Sequence, residues 1–488
     1  MGFSKINKVF KKELLYVFLI IFLFFILIVK FIFSTSVLLW DEPVYLSNAM
    51  SHLQQTYFTE DFRFPLLEYF IAFFWFLFGI SVFNAQILIL LFSLLSIYIF
   101  YLISKKIFVE NYYRILSVFL FSTSYLLIYW SFRVYPDIPS LSMLLASIYL
   151  FFKYKDTNSK FIFFNKYFLW KKIVFIFLSG MFTSIAFLLK FPGAIASLVV
   201  VPYLIYKKKF KSFFFYALGN IFILTPWILY NYLQYSNPLW DLLEQSKIIS
   251  MYTVRESSMV FLNNFFLSIY FMIVFLFLFF IFYFFNEKLS KNFYVNFIFI
   301  LFILSIFYYL FGVKLKLFRY HLQIFPFALL LSIIGLKYLV NFILNINYFK
   351  FFFKKFKFLL IIVLLICVLI NSFFQMNLAI NTINEKNHID KNSAFLKSIN
   401  YADENIAEGE LIISNYWPWY GFYGNHISRP IWNNNINLIL SNLNNGYLFL
   451  VRYHYQKDLS KDLEFNGYLK ENITDIYGNN VLIYEVYK

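Results

Sequence analysis

Apolar runs long enough to cross a bilayer recur along this chain up to about residue 376, and they leave it few folds to choose from. The first extends from about Leu14 to Leu39. Others fall near 65–83, 84–104, 112–133, 138–152, 173–190, 192–206, 212–232, 261–286, 293–311, 319–345 and 358–376. Many reach the roughly 18–20 residues that span a hydrocarbon core. Of 488 residues, 61% are hydrophobic and only 14% charged, more apolar surface than a soluble protein can use. A β-barrel would show short alternating segments instead. The expected class is an all-α polytopic membrane protein.

The formal charge of +17 does not point to nucleic acid, because the lysines fall in short clusters between apolar runs. Lys207–Lys209 with Lys211, and Lys350, Lys354, Lys355 and Lys357, fit the rule that basic loops stay cytoplasmic. Lys5, Lys8, Lys11 and Lys12 precede a first run too long for a signal-peptide core, with no small-residue cleavage site after it. The expectation is a retained first span in the plasma membrane, with the N-terminus cytoplasmic. The single cysteine, Cys367, excludes an intramolecular disulfide.

If every run crossed, Lys105, Lys106, Arg114 and the basic loop 153–172 would face outward. Letting 65–83 lie along the membrane puts 105–114, 153–172, 207–211, 287–292 and 346–357 on the cytoplasmic side. About 11 transmembrane helices plus juxtamembrane helices remain, with an external loop at about 41–83 and a large one at about 233–260. Residues 1–376 form this module. After 377 charged residues, Asn and Gly become frequent. "GELIISN" (409–415) and "NNVLIYEVY" (479–487) read as strands and "SAFLKSINYADEN" as a helix, so 377–488 is expected to be a small extracytoplasmic α/β domain. Asn472-Ile473-Thr474 fits the N-glycosylation pattern, which also arises by chance.

Ionisable residues beside membrane helices are costly and mark functional candidates. On this topology Asp41, Glu42, Arg63, Asp137, Lys190, Lys314, Lys316 and Arg319 gather on the external side. Each has a plainer reading. Asp41 and Asp137 are at positions where they could cap helices, and the cations could be snorkelling anchors. The five histidines show no metal-ligand spacing. Taken together, external carboxylates and cations around an apolar cavity suit chemistry on a lipid-linked phosphate. Cations neutralise the phosphate and a carboxylate takes a proton from the acceptor.

The ordered series "WDEPVYLSNAM", "RFPLLEYFIAFFWFLFG", "YPDIPSLSMLLASIYLFF", "GMFTSIAFLLKFPGAI", "TPWILYNYLQYSNPLW" and "KLKLFRYHLQIFPFALLLSIIGL" resembles the GT-C membrane glycosyltransferases. The similar branch holds protein O-mannosyltransferases and the lipid A aminoarabinose transferase. The resemblance covers about residues 15–345. It implies Asp41 as general base, Glu42 as a residue orienting acceptor or loop, and Asp137 as a second active-site carboxylate. It gives Arg63, and less directly Lys190, Arg319 and Lys316, to the donor phosphate. Phe64 replaces the first proline of the usual pair, Glu68 stands where an aromatic is expected, and "LKFPG" permutes the usual Lys-Gly-Pro order.

The resemblance further implies transfer of a hexosyl or pentosyl group, with inversion, from a dolichyl- or undecaprenyl-type phosphate. The acceptor would be an extracytoplasmic lipid, glycan or protein of the cell envelope. The partners are the donor, the acceptor and membrane lipids, with no nucleic acid. No cofactor is certain, and a divalent metal ion joining Asp41 and Asp137 stays open. The alternative is a lipid-linked sugar transporter or flippase without covalent chemistry, against which stand the one-sided polar residues and the lack of a visible repeat. A third reading is a multispan scaffold, in which the aromatic stretch 415–432 is a recognition surface or the core of the small domain.

Overall fold

The computed structural model describes residues 3–34, 38, 41–54, 60, 62–157, 166–251, 256–314, 316–345, 353–386, 394–407, 410–423, 426–430, 445–452, 467–474 and 479–487. In chain order the helices are α1 (Phe3–Ser34), α2 (Glu42–Gln54), α3 (Leu66–Phe78), α4 (Val82–Ile107), α5 (Asn111–Ser122), α6 (Tyr125–Trp130) and α7 (Asp137–Asp156). Then come α8 (Lys166–Leu189), α9 (Ser197–Tyr206), α10 (Phe210–Tyr235), α11 (Trp240–Met251), α12 (Ser258–Ile269), α13 (Met272–Phe285), α14 (Glu287–Ser290) and α15 (Phe293–Phe307). The last are α16 (Phe325–Asn345), α17 (Phe353–Lys386), α18 (Ala394–Asn405) and α19 (Trp417–Tyr423). Among the described residues five strands lie near the C-terminus: β1 (Leu411–Ser414), β2 (Ile427–Pro430), β3 (Asn445–Arg452), β4 (Gly467–Thr474) and β5 (Asn480–Tyr487).

Among the described residues seven helical stretches are long and apolar enough to cross a membrane, namely α1, α4, α8, α10, α15 continued to Gly312, α16 and α17. The run at 261–286 is not one straight helix. It forms α12 and α13, which meet at a 100° bend where Tyr270 takes φ +50°. A β-carbon makes that conformation costly, of order 1–3 kcal/mol, and stacking of Tyr270 on Phe374 (4.0 Å between ring centres) helps hold it. The remaining expected spans, 112–133, 138–152 and 192–206, are helical but broken or flanked by charge. Helix α3 has 13 residues, about 20 Å at 1.5 Å per residue, short of the ~30 Å core. That length agrees with its placement as a non-crossing segment. The expected external loop 233–260 carries α11.

The chain divides into two compact units. The first is Met1–Phe31, Ile89–Phe132 and Pro136–Ile383. Within it α7 is buried on almost every side and lies against α8, as an all-round apolar helix must. Ser147 bonds to the Ser179 carbonyl (2.9 Å) and to the Thr183 hydroxyl (2.6 Å). Helices α8 and α10 approach through Gly180 and Gly219. A β-carbon on either would stand 2.2 Å from a backbone oxygen of the other helix, Tyr216 O or Phe177 O. Small residues let helices meet this closely where lipid supplies no hydrophobic drive.

Ion pairs tie several loops of this unit at one end. Arg114 meets Glu13 (3.2 Å), Lys337 meets Glu110 (2.7 Å), and Asp156 is held by Lys106 and the Tyr294 hydroxyl. Segments 105–114 and 153–157 and the start of α15 therefore share a side, as the charge pattern requires. Residues 158–165 and 346–352 of the basic loops lie outside the described residues.

The second unit is Ile32–Leu88, Arg133–Tyr135 and Asn384–Lys488. Its sheet has the order β2-β1-β3-β5-β4, with β1 parallel to β2 and β3, and β5 antiparallel to β3 and β4. Strands β1 and β5 and helix α18 fall where alternation and helical spacing place them. Phe395, Ile399, Ile412, Trp419, Tyr420, Phe449 and Ile483 form the core. The described part of the aromatic stretch thus supplies core: Trp417, Trp419 and Tyr420 are buried. Residues 424–425 and 431–432 of that stretch lie outside the described residues. Asn472 is exposed on the edge strand β4. Helix α2 packs against α19, so the segment that follows the first span and the C-terminal domain belong to one body.

Candidate active site

In the second unit the chain turns into α2 at Asp41, and Arg63 comes back over it just before α3. Arg63 Nη2 donates to Asp41 Oδ1 (3.0 Å), its Nε to Glu60 Oε2 (2.6 Å) and its Nη1 to the Tyr45 hydroxyl (3.2 Å). Its guanidinium lies 4.9 Å from the centre of the Tyr45 ring. Burial alone would pull the Arg63 pKa down, but Glu60, Asp41 and Tyr45 outweigh it and hold it well above the ordinary value. Asp41 and Arg63 keep 16% and 17% of their side-chain surface open, so an incoming group can reach the pair.

Glu42, the next residue, is fully enclosed. Its Oε1 accepts the Val134 N–H (2.7 Å) and its Oε2 faces Arg133 Nη1 (3.4 Å), itself 1% exposed. The Tyr135 hydroxyl accepts the Asp41 N–H (3.3 Å). Glu42 therefore fastens α2 to segment 133–135. Glu68, the departure from the family pattern, is buried and accepts from Asn48 (2.9 Å), with His52 at 3.6 Å. Burial pushes its carboxyl up, against the opposing pull of nearby His52 and of the Asn48 hydrogen bond.

In the first unit Asp137 opens α7. Pro136 holds the cap position and no side chain caps the helix, so Asp137 is not there as a cap. Lys190 pairs with its Oδ1, while Oδ2 is buried without a hydrogen-bond partner among the described residues. An orphaned carboxylate oxygen is costly to keep and suits a group that meets a ligand. The Lys190 ammonium lies 4.6 Å from the centre of the Tyr320 ring, and the Arg319 guanidinium 5.9 Å from it. Gln323 links Ser140 (3.0 Å) to the Tyr309 hydroxyl (3.2 Å) below.

Lys316 is engaged differently. Its ammonium donates to the carbonyls of Tyr309, Leu310 and Val313 at the end of the π-turn Tyr308–Gly312, and it is 2% exposed. A cation there satisfies carbonyls that a helix end leaves orphaned. Thus the first unit brings together Asp137, Lys190 and Arg319, with Lys316 behind them as a helix-end clamp. The second brings together Asp41 and Arg63, with Glu42 beneath.

Residues 63–230 match the family model described as dolichyl-phosphate-mannose-protein mannosyltransferase. The structure is similar to ArnT from Cupriavidus metallidurans bound to undecaprenyl phosphate, at TM-score 0.68 and 11% identity, covering 96% of this chain and 98% of that one. The apo form of the same protein gives TM-score 0.67 and 12% identity over 96% and 97%. The chain has the GT-C fold. No curated protein matches it by sequence.

The GT-C resemblance in the sequence thus extends to the whole architecture, multi-pass helices and C-terminal sheet included. The matched segment contains Arg63, Asp137 and Lys190 and lies between Asp41 and Arg319. Sequence reasoning did not find Arg133, Glu60 or Tyr45 beside Asp41 and Glu42. Arg133 stands in "RVYPDIPS", where a second charge four residues before Asp137 was the available signal. Among the described residues no group of three or more His, Cys, Asp or Glu side chains gathers as a metal site.

Proposed function

We propose that this protein is an integral-membrane glycosyltransferase that moves a sugar from a polyprenyl phosphate to an extracytoplasmic acceptor, with inversion. The observation that carries the reading is the fold, shared over 96% of the chain with an ArnT bound to undecaprenyl phosphate. The residues supply a consistent chemistry. Donor phosphate competes with Asp41 for Arg63 and draws the guanidinium away. The released Asp41 carboxylate takes the proton as the acceptor hydroxyl or amine attacks the anomeric carbon. The sugar–phosphate bond breaks and polyprenyl phosphate leaves with the electron pair. Lys190 and Arg319 lie near Asp137 as further candidates for the phosphate, and a preorganised cation stabilises such a leaving group by several kcal/mol. A divalent ion, if required, would be held by Asp41 or Asp137, and chelation of the purified protein tests for it.

The test is reconstitution with radiolabelled polyprenyl-phosphate sugars and a cell-envelope extract. Asp41→Asn is expected to lower transfer by roughly 10²–10⁴-fold, the usual worth of a general base, while donor binding persists. Arg63→Ala is expected to weaken donor binding as well. NMR of the product reads the anomeric configuration. Donor binding without turnover in the wild type, accompanied by lipid flipping, would establish the transporter instead.

A further inference from the structure

Lysines and aromatic rings gather around an apolar groove where the turn after α9 meets α15. The groove has a volume of about 330 Å³ and is lined by Leu198, Pro202, Tyr203, Tyr206, Phe293 and Ile300, among others. Three of these rings carry ammonium groups. Lys209 lies 5.6 Å from the centre of Tyr203, Lys207 lies 5.0 Å from Tyr206 and Lys155 lies 5.2 Å from Phe293. Lys172 and Lys209 also flank Tyr154, at 5.2 and 5.5 Å. The turn is built for this. Lys208 takes φ +52°, and the N–H groups of Lys208 and Lys209 return to the carbonyls of Ile205 and Leu204 (both 2.8 Å).

None of Lys155, Lys172, Lys207 and Lys209 makes an ion pair among the described residues. The neighbouring carboxylate, Asp156, is engaged by Lys106 and Tyr294. Partial burial, together with Lys172, Lys155 and Lys207, lowers the Lys209 pKa. Isolated snorkelling lysines would spread toward water. These converge, and like charges held close are relieved by an anion. Their depth fits a headgroup, since Lys172 lies in the first turn of the apolar helix Trp170–Leu189 and Phe293 begins Phe293–Gly312. Basic pockets between membrane helices recognise acidic lipid headgroups in this way.

We propose that this groove binds an anionic phospholipid, its phosphate held by Lys155, Lys172, Lys207 and Lys209 and an acyl chain lying along Tyr203, Phe293 and Ile300. A free phosphate would make no use of the apolar groove, and a neutral lipid would leave the cations uncompensated.

The test uses the full chain in phosphatidylcholine nanodiscs containing phosphatidylglycerol, with retained lipid read by native mass spectrometry and affinity by titration. The variant K155Q/K172Q/K207Q/K209Q is expected to bind phosphatidylglycerol about tenfold more weakly or worse. The control K171Q/K208Q/K211Q, which removes nearby charges outside the cluster, is expected to bind as wild type does. Ile300→Trp, which fills the groove and leaves every charge, is expected to weaken binding of long-chain but not short-chain phosphatidylglycerol. Equal losses in cluster and control variants, or no loss in the cluster variant, overturn the proposal. Displacement by stoichiometric polyprenyl phosphate, or by inorganic phosphate alone, overturns the phospholipid as occupant.

Discussion

Asp41 and Glu42 are adjacent in the chain, yet their surroundings assign them opposite duties. Asp41 is partly open and shares Arg63 with Glu60, whereas Glu42 is sealed against Arg133 and the Val134 N–H. Removing one partner of a buried pair leaves an uncompensated charge, at about 3–5 kcal/mol. Arg133→Met is therefore expected to destabilise the protein by about that amount. The double variant with Glu42→Gln should lose less than the sum of the two single losses, both read by thermal unfolding in detergent. Lys316→Gln is likewise expected to lower stability and leave the donor KM little changed. His426 offers a pH readout. Burial lowers its pKa, and Asp403 at 3.9 Å with the carbonyls of Ala402 and Ala407 only partly offsets this. The unfolded chain then binds the proton more readily than the native one. Stability contributed by the neutral ring is expected to fall as pH drops below about 6.5, with His426→Gln abolishing that slope.

At the scale of elements, the contact of α8 with α10 rests on two reciprocal glycines. Gly180→Ala or Gly219→Ala would push a methyl into backbone, and each is expected to cost about 1–3 kcal/mol. The double variant should cost less than the sum, since one displacement of the helices relieves both clashes. Much of this level was legible beforehand. Apolar length marks the spans, and alternation marks β1 and β5, because both depend on local pattern alone. The bend at Tyr270 was not legible, since no glycine or proline flags it and stacking on Phe374 sustains it across the fold. Nor was Arg133 as the partner of Glu42, whose pairing spans 91 residues of chain. Residue type and position pointed to Asp41, Arg63, Asp137 and Lys190. The enclosure that separates Glu42 and Lys316 from them exists only after packing.

For the molecule as a whole, the bond between α2 and α19 carries the largest consequence. Val44, Leu46 and Ala49 on α2 are fully buried, and ending the chain after Lys386 would remove α19 from beside their helix. Such a truncation is expected to leave residues 41–63 open to limited proteolysis and to abolish sugar transfer, while the helices of the first unit stay protected. The same arrangement sets an order of events during synthesis. Helix α2 is made early, and α19 follows only at Trp417, which at about 5–20 residues per second is a wait of roughly 20–70 s. The loop carrying Asp41 cannot take its final shape during that wait. A ribosome that stalls before Trp417 thus leaves a chain whose early spans are made while α2 still lacks its partner helix.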